Sequence, residues 1–227
     1  MSKFTTLKIN EMFETIQGEG AYTGIPAIFV RLQGCPVGCP WCDTKHTWTL
    51  DNALMSSAEK VLNKTQESEH FFETDESGIL ALFAQQGYVA KHVVITGGEP
   101  CMYDLVGLTQ VLHDQGYSTQ IETSGTYEIC CDDRTYVTVS PKINMKGGMP
   151  VLISALERAN EIKHPIAMQK HIDELDALLS NVSSLEGKQI CLQPISQQPR
   201  ATQLAVKTCI ARNWRLSLQT HKYIGIE

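Results

Sequence analysis

The sequence predicts an α/β fold, a partial and open (β/α)6-like barrel forming a single domain over residues 1–227. Three observations predict it. Strand-like apolar runs recur, each followed by a turn and then a helical pattern, the alternation that builds a mainly parallel sheet. About six such units are present, too few to close an eight-stranded barrel. The polar motifs CPVGCPWCD, TGGEP, ETSG, SPK and QPIS all follow strand-like runs, so in a barrel of this kind they converge at the carboxyl ends of the strands.

Taken in order, Pro26–Leu32 (PAIFVRL) is apolar and leads into a cysteine loop. Ser56–Ser77 is polar and charged without sustained periodicity; it reads as an insertion near residues 56–77 over the cysteine side, partly helical and mobile. His92–Thr96 is a strand leading into Gly97-Gly98-Glu99-Pro100. Asp104–Gln115 is a helix with Leu105, Leu108, Val111 and Leu112 on one face. Thr119–Thr123 leads into Ser124-Gly125, and Tyr136–Val139 into Ser140-Pro141-Lys142. Val151–Ile162 has a helical pattern, His164–Met168 a short strand pattern, and Asp173–Leu179 a helical one. Gln189–Leu192 leads into Gln193-Pro194-Ile195-Ser196, Thr202–Asn213 is helical, and Arg215–Gln219 is a last strand. No internal repeat, low-complexity tract or second domain is visible.

With 227 residues the chain can build one full core. Hydrophobic residues at 42 % and charged residues at 19 % are ordinary for a globular protein. A net charge of −6 argues against broad nucleic-acid binding through a basic face. No apolar run reaches membrane-spanning length, and Met1–Lys8 has no apolar core of a signal peptide. Eight cysteines in such a chain point to reduced thiols and a cytoplasmic location.

Chemistry concentrates in Cys35, Cys39 and Cys42, spaced C-x3-C-x2-C. Iron–sulfur clusters usually take four cysteine ligands. Three leave one iron open, and an open metal position marks chemistry more than structure, as with catalytic zinc. The spacing therefore favours a reactive [4Fe–4S] site. Zinc, a disulfide framework and plain core packing are the competing readings. Zinc usually wants a second C-x2-C or a His pair, which this chain lacks, and disulfide frameworks belong to small secreted chains.

C-x3-C-x2-C after a first strand, with a later strand ending in Gly-Gly-Glu-Pro, resembles the radical S-adenosylmethionine (SAM) superfamily. Glu14-Thr15-Ile16-Gln17-Gly18-Glu19-Gly20, Cys42-Asp43-Thr44 and Ser140-Pro141-Lys142 sharpen the resemblance to the 7-carboxy-7-deazaguanine synthase family of queuosine biosynthesis, along nearly the whole chain. Trp-Arg-Leu-Ser and Gln-Thr-His-Lys near the end resemble its compact gammaproteobacterial members. The resemblance implies a carbon–nitrogen lyase that contracts 6-carboxy-5,6,7,8-tetrahydropterin to 7-carboxy-7-deazaguanine with loss of ammonia. It implies a [4Fe–4S] cluster, SAM and Mg²⁺ as cofactors, with SAM chelating the open iron and cleaved to a 5′-deoxyadenosyl radical. It also implies a flavodoxin or ferredoxin as electron donor and a homodimer, with no direct nucleic-acid or membrane contact.

The same resemblance assigns residues. SAM falls to Trp41, Cys42, Asp43, Gly98, Glu99, Ser140, Pro141, Lys142, Gln193, Pro194, Ile195 and Ser196. Gly97 and Gly98 would admit a close backbone approach to SAM, with Glu99 or its neighbours meeting the ammonium; an ordinary glycine turn is the alternative. Glu122 suits the SAM ribose or a solvated carboxylate. The substrate falls to Ile16, Gln17, Gly18, Glu19, Arg31, Thr96, His221 and Glu227. Gln and Glu supply the paired donor and acceptor that an amino-pyrimidinone edge wants. Arg31 inside an apolar strand needs a partner, either a substrate carboxylate or a structural ion pair. Thr44 would place its hydroxyl on Mg²⁺, with the substrate carboxylate in the same shell, or cap a helix. The tail would fold over the substrate or fray. His46 and Trp48 pack beside the cysteine loop. A glycyl-radical activase and a non-catalytic iron–sulfur electron carrier are the rival functions.

Overall fold

The computed structural model describes residues 6–195 and 198–226. Its strands are β1 (Leu7–Ile16), β2 (Pro26–Leu32), β3 (Phe72–Thr74), β4 (His92–Gly97), β5 (Ser118–Thr123), β6 (Tyr136–Val139), β7 (Glu161–Ile166), β8 (Gln189–Pro194) and β9 (Arg215–Leu216). Its helices are α1 (Ala58–Leu62), α2 (Glu76–Gln86), α3 (Val106–Asp114), α4 (Ile153–Arg158), α5 (Gln169–Leu179), α6 (Pro199–Arg212) and α7 (Thr220–Ile224). The strands form one sheet in the order β3-β1-β2-β4-β5-β6-β7-β8-β9. From β2 to β9 every neighbouring pair is parallel, while β1 runs antiparallel to both β2 and β3. β3 and β9 end the order, so the barrel is open. No helix among the described residues is long and apolar enough to cross a membrane.

The strand alternation explains both faces. Successive side chains of a strand point to opposite sides. Ile28, Val30 and Leu32 of β2, Val93 and Ile95 of β4, and Ile121 of β5 are fully buried and pack with residues of α1, α2 and α3. Val137, Val139, Ile162, Ile166 and Leu192 form a second cluster with α4, α5 and α6. Burying each such side chain contributes roughly 1.5–3 kcal/mol. The intervening positions carry Arg31, Thr96, Glu122, Lys163 and Gln193, which face the open interior and line a cavity.

Four elements differ from the sequence expectation. β1 was not legible as a strand, because LKINEMFETI mixes charges with apolar residues. β7 begins at Glu161, where a helix through Ile162 is expected; α4 stops at Arg158 and the Asn160 side chain accepts from the Val137 N–H at 2.8 Å. The Arg215–Gln219 strand is short, pairing only over β9. The expected mobile insertion at 56–77 is folded. Val61, Phe71 and Phe72 are buried, β3 pairs with β1, and the Asn10 side chain donates to Ser68 O at 2.8 Å and His70 O at 3.2 Å. Three apolar anchors suffice there, too few to leave a periodic signal.

Candidate active site

A cavity of about 370 Å³ opens at the carboxyl ends of the parallel strands, within the usual size of small-molecule sites. Cys35, Cys39 and Cys42 all line it. Their loop is pinned by backbone bonds: Gly34 N–H donates to Thr47 O (2.6 Å), Cys35 N–H to Trp48 O (3.1 Å), Cys42 N–H to Cys39 O (3.2 Å) and Gly147 N–H to Val37 O (3.0 Å). Gly38 needs its positive φ of 69° to make the turn. All eight cysteines are free thiols, which removes the disulfide reading. Burial pushes the Cys35 thiol up to about 12 and raises Cys39 as well. The three cysteines share one cavity, a thiolate set that suits an iron–sulfur cluster.

The Gly-Gly-Glu turn serves the cysteine loop directly. A Cβ on Gly97 would overlap the Leu32 backbone, and one on Gly98 would overlap Gly34 O. These glycines admit the end of β2 on one side, and both border the cavity. The Glu99 carboxylate is buried and accepts from the Thr123 hydroxyl (2.5 Å), Ser124 N–H (2.8 Å), the Ser124 hydroxyl and Cys101 N–H (2.9 Å). It ties β4 to β5 with no oxygen left bare, while still bordering the cavity.

Trp41, half-exposed, and Asp43 stand at the rim. The Thr44 hydroxyl makes no helix-capping bond; it lies 3.6 Å from Cys42 Sγ and borders the cavity. Ser140 and Lys142 line the wall, with the Lys142 ammonium donating to Ser140 Oγ at 2.6 Å and lowered by burial; Pro141 is buried. Gln193, Pro194 and Ile195 complete that side, and Ser196 lies outside the described residues.

The segment after β1 crosses the inner face of the half-barrel. Gln17 Nε2 donates to Gln120 Oε1 (3.2 Å), Gly20 N–H to Ser217 Oγ (3.0 Å) and Ala21 N–H to Glu161 Oε2 (2.8 Å). Tyr22 stacks on His92 with ring centroids 4.4 Å apart. Ile16, Gln17, Gly18 and Glu19 therefore all reach the cavity. The Gln17 amide also bonds within the protein at its other end: Oε1 accepts from Glu19 N–H at 3.1 Å. Arg31 lines the cavity and realises the ion-pair reading, its Nε donating to Glu11 Oε2 at 2.7 Å; Thr96 follows on β4.

Sequence reasoning missed the charge at the floor. Lys163 contacts Glu19 at 2.6 Å and Glu122 at 3.0 Å. Burial opposes ionisation of Glu19, yet Lys163, with a further bond from Gln219, holds it down at about 2. Burial pushes Glu122 up to about 7; Lys163 opposes the rise, and the nearby Glu19 and Glu161 add to it. The signal lay in the strand the structure shows at Glu161–Ile166, since a lysine buried in a strand implies a partner. Phe13 and Phe29, stacked at 5.3 Å, were missed as cavity lining, although Phe29 alternates with Arg31 in β2.

The chain end returns to this floor. Thr220 N–H donates to Gly18 O (2.9 Å), Gln219 Nε2 to Glu19 Oε1 (2.9 Å), and Lys222 lies 3.6 Å from Asp43. A Cβ on Gly18 would overlap the His221 ring, so the glycine makes room for it. His221 lines the cavity, in place of a frayed tail; Glu227 lies outside the described residues.

Known proteins match this arrangement. A family model described as a 4Fe-4S single cluster domain matches residues 16–129. The chain is 58 % identical over 218 residues to 7-carboxy-7-deazaguanine synthase of Escherichia coli (strain K12), covering 96 % of this chain and 98 % of that protein. It is 46 % identical to the Buchnera aphidicola (subsp. Schizaphis graminum) protein of the same name, with the same coverage. The crystal structure of QueE from Escherichia coli superposes with a TM-score of 0.93 at 57 % identity, over 95 % of each chain. Identity of this depth along nearly the whole length places the chain in the 7-carboxy-7-deazaguanine synthase family of iron–sulfur enzymes.

Proposed function

We propose that this chain is a radical-SAM carbon–nitrogen lyase that contracts 6-carboxy-5,6,7,8-tetrahydropterin to 7-carboxy-7-deazaguanine with release of ammonia. One observation carries the reading: a single cavity is bordered by the three cysteines, by Arg31, Thr44 and Thr96, and by the His221 tail. When bound, the cluster with SAM at its open iron supplies a carbon radical able to take one hydrogen from the substrate; the protein orients and shields that chemistry.

The residues divide the work. Ser140, Lys142 and the Gln193–Ile195 turn border the wall where SAM would lie beside the cysteines. The Thr44 hydroxyl, free of any capping bond, offers an oxygen for Mg²⁺, a cation that favours oxygen donors and keeps several waters. Such an ion would bind the substrate carboxylate alongside Thr44 and stabilise negative charge during rearrangement. Phe13 and Phe29 offer a flat apolar surface for the pterin, Glu19 and Glu122 accept from its polar edge, and the tail excludes water. A flavodoxin or ferredoxin supplies the electron, the enzyme works in the cytoplasm, and a homodimer is its assembly.

The test is anaerobic reconstitution with iron and sulfide, then incubation with SAM, dithionite and carboxytetrahydropterin. The expected product is 7-carboxy-7-deazaguanine. SAM cleavage without that product would overturn the substrate; absence of SAM cleavage would overturn the radical chemistry.

A further inference from the structure

Beneath the cavity a chain of buried side-chain amides runs toward Glu122. It starts at a donor of fixed sense, the backbone N–H of Glu19, which donates to Gln17 Oε1 at 3.1 Å. A backbone N–H cannot accept, so Gln17 must turn its NH₂ the other way. That NH₂ donates to Gln120 Oε1 at 3.2 Å. Gln120 must in turn direct its own NH₂ onward, donating to Glu122 Oε1 and Thr138 Oγ1, both at 3.0 Å. His92 supports the same sense from β4: its Nε2 lies 3.1 Å from Gln120 Oε1 and its Nδ1 2.9 Å from the Ser118 hydroxyl. Burial lowers His92, favouring the neutral ring, whose Nε2–H tautomer donates to Gln120. Tyr22 stacks on the imidazole and fixes its plane. Gln17, His92 and Gln120 are all buried.

Every hydrogen-bonding position of the Gln120 amide is thus filled, in one orientation only. Reversing it would set its carbonyl against the Glu122 carboxylate, a contact that needs a proton on Glu122. We propose that Gln120, locked by Gln17 and His92, is a positioning residue that keeps the Glu122 carboxylate ionised and directed into the cavity. This rests on the function proposed above, in which Glu122 meets the substrate.

Other charges act on the same carboxyl. Lys163 and Glu161 face it from β7, Glu19 from the crossing segment, and Lys142 from the loop after β6, with His92 behind Gln120 on β4. Lys163 favours the ionised form, while burial and the two glutamates oppose it. A donor from Gln120 therefore bears on a group already near its tipping point.

The experiment compares His92→Phe, which keeps a ring against Tyr22 but removes both nitrogens, with His92→Gln, whose amide restores a donor to Gln120. Gln120→Met removes the amide itself. Two readouts are taken on the reconstituted enzyme: the pH profile of kcat/KM for carboxytetrahydropterin, and an infrared titration of the Glu122 carboxyl, assigned by its loss in Glu122→Gln. In His92→Phe and Gln120→Met the acid limb and the infrared midpoint move up together by about one pH unit, a tenfold change in proton affinity. His92→Gln returns both to the wild-type position. Midpoints unchanged in His92→Phe, or His92→Gln displaced as far as His92→Phe, would overturn the proposal. Should Gln120→Met fail to fold, the two His92 variants decide alone. The infrared titration needs no turnover, so a wild-type enzyme that made no deazaguanine would sink the function while leaving this inference to its own result.

Discussion

Replacing Lys163 with methionine removes an ammonium that contacts both Glu19 and Glu122 while keeping a side chain of similar length. The Lys163 and Glu19 side chains are only 6 % and 18 % exposed, so solvent screens the loss weakly. Breaking a buried pair costs about 3–5 kcal/mol, since the abandoned charge remains buried. The Glu19 carboxyl gives a second route to the figure. Held at about 2 against an ordinary 4.5, it contributes about 3 kcal/mol at 1.36 kcal/mol per pKa unit. A depressed carboxyl contributes stability that is present above its unfolded value and lost as pH falls through its folded one. The wild-type contribution is therefore complete above about pH 4.5 and fades toward pH 2. Glu122 has the opposite sign: raised to about 7, it costs stability as pH climbs from 4.5 to 7. Without Lys163 it takes up a proton near neutrality, which keeps the total near 3 kcal/mol. Urea unfolding of the cluster-free protein, followed by far-ultraviolet circular dichroism, measures this. The variant should lose about 3 kcal/mol at pH 8 and markedly less near pH 2.5, as Glu19 approaches its folded value. An equal loss at both pH values would refute the electrostatic reasoning and leave only a packing defect.

Gly98→Ala should force the cysteine loop off β4, costing roughly 1–3 kcal/mol and lowering iron bound per chain after reconstitution; full iron content with wild-type stability would contradict the overlap at Gly34 O. Thr44→Ala should leave SAM cleavage without substrate intact yet flatten the Mg²⁺ dependence of turnover, so an unchanged magnesium titration would remove the hydroxyl from that role. Deleting Gln219 onward should raise the substrate KM several-fold, because the bonds to Gly18 and Glu19 and the His221 wall go together; wild-type KM would show that the tail does not close the cavity.

The parallel strands β2, β4, β5, β6 and β8 were legible from their apolar runs, and Pro26–Leu32 and Tyr136–Val139 coincide with β2 and β6. The cysteine loop and the turns after β4, β6 and β8 were legible because glycine, proline and cysteine mark position by local chemistry. What stayed hidden depends on distance. Lys163 and Glu19 lie 144 positions apart, so no window of sequence shows that one neutralises the other. Glu161 fell in a helical pattern ending at Ile162, and Lys163 lay between that pattern and the expected His164–Met168 strand, because the inner surface they face has no local signature. Glu99 carries the same four-residue motif whether it meets a ligand or, as found, the β5 turn. Gln17 was rightly drawn to the cavity, but its amide is occupied by partners that only the fold supplies.

The crossing segment also sets an order of assembly. Gly20 meets Ser217, and Gly18 meets Thr220, across 197 and about 200 positions of chain. A ribosome extends the chain from its first residue, and early parts fold first. The three cysteines are therefore made, and their loop can form, long before Ser217 and the tail exist to complete the cavity around them. Iron and sulfide delivered to a growing chain would meet thiols with one side of their enclosure missing. The enclosure around the cysteine loop is therefore completed only once Ser217 and Thr220 have been added and folded back.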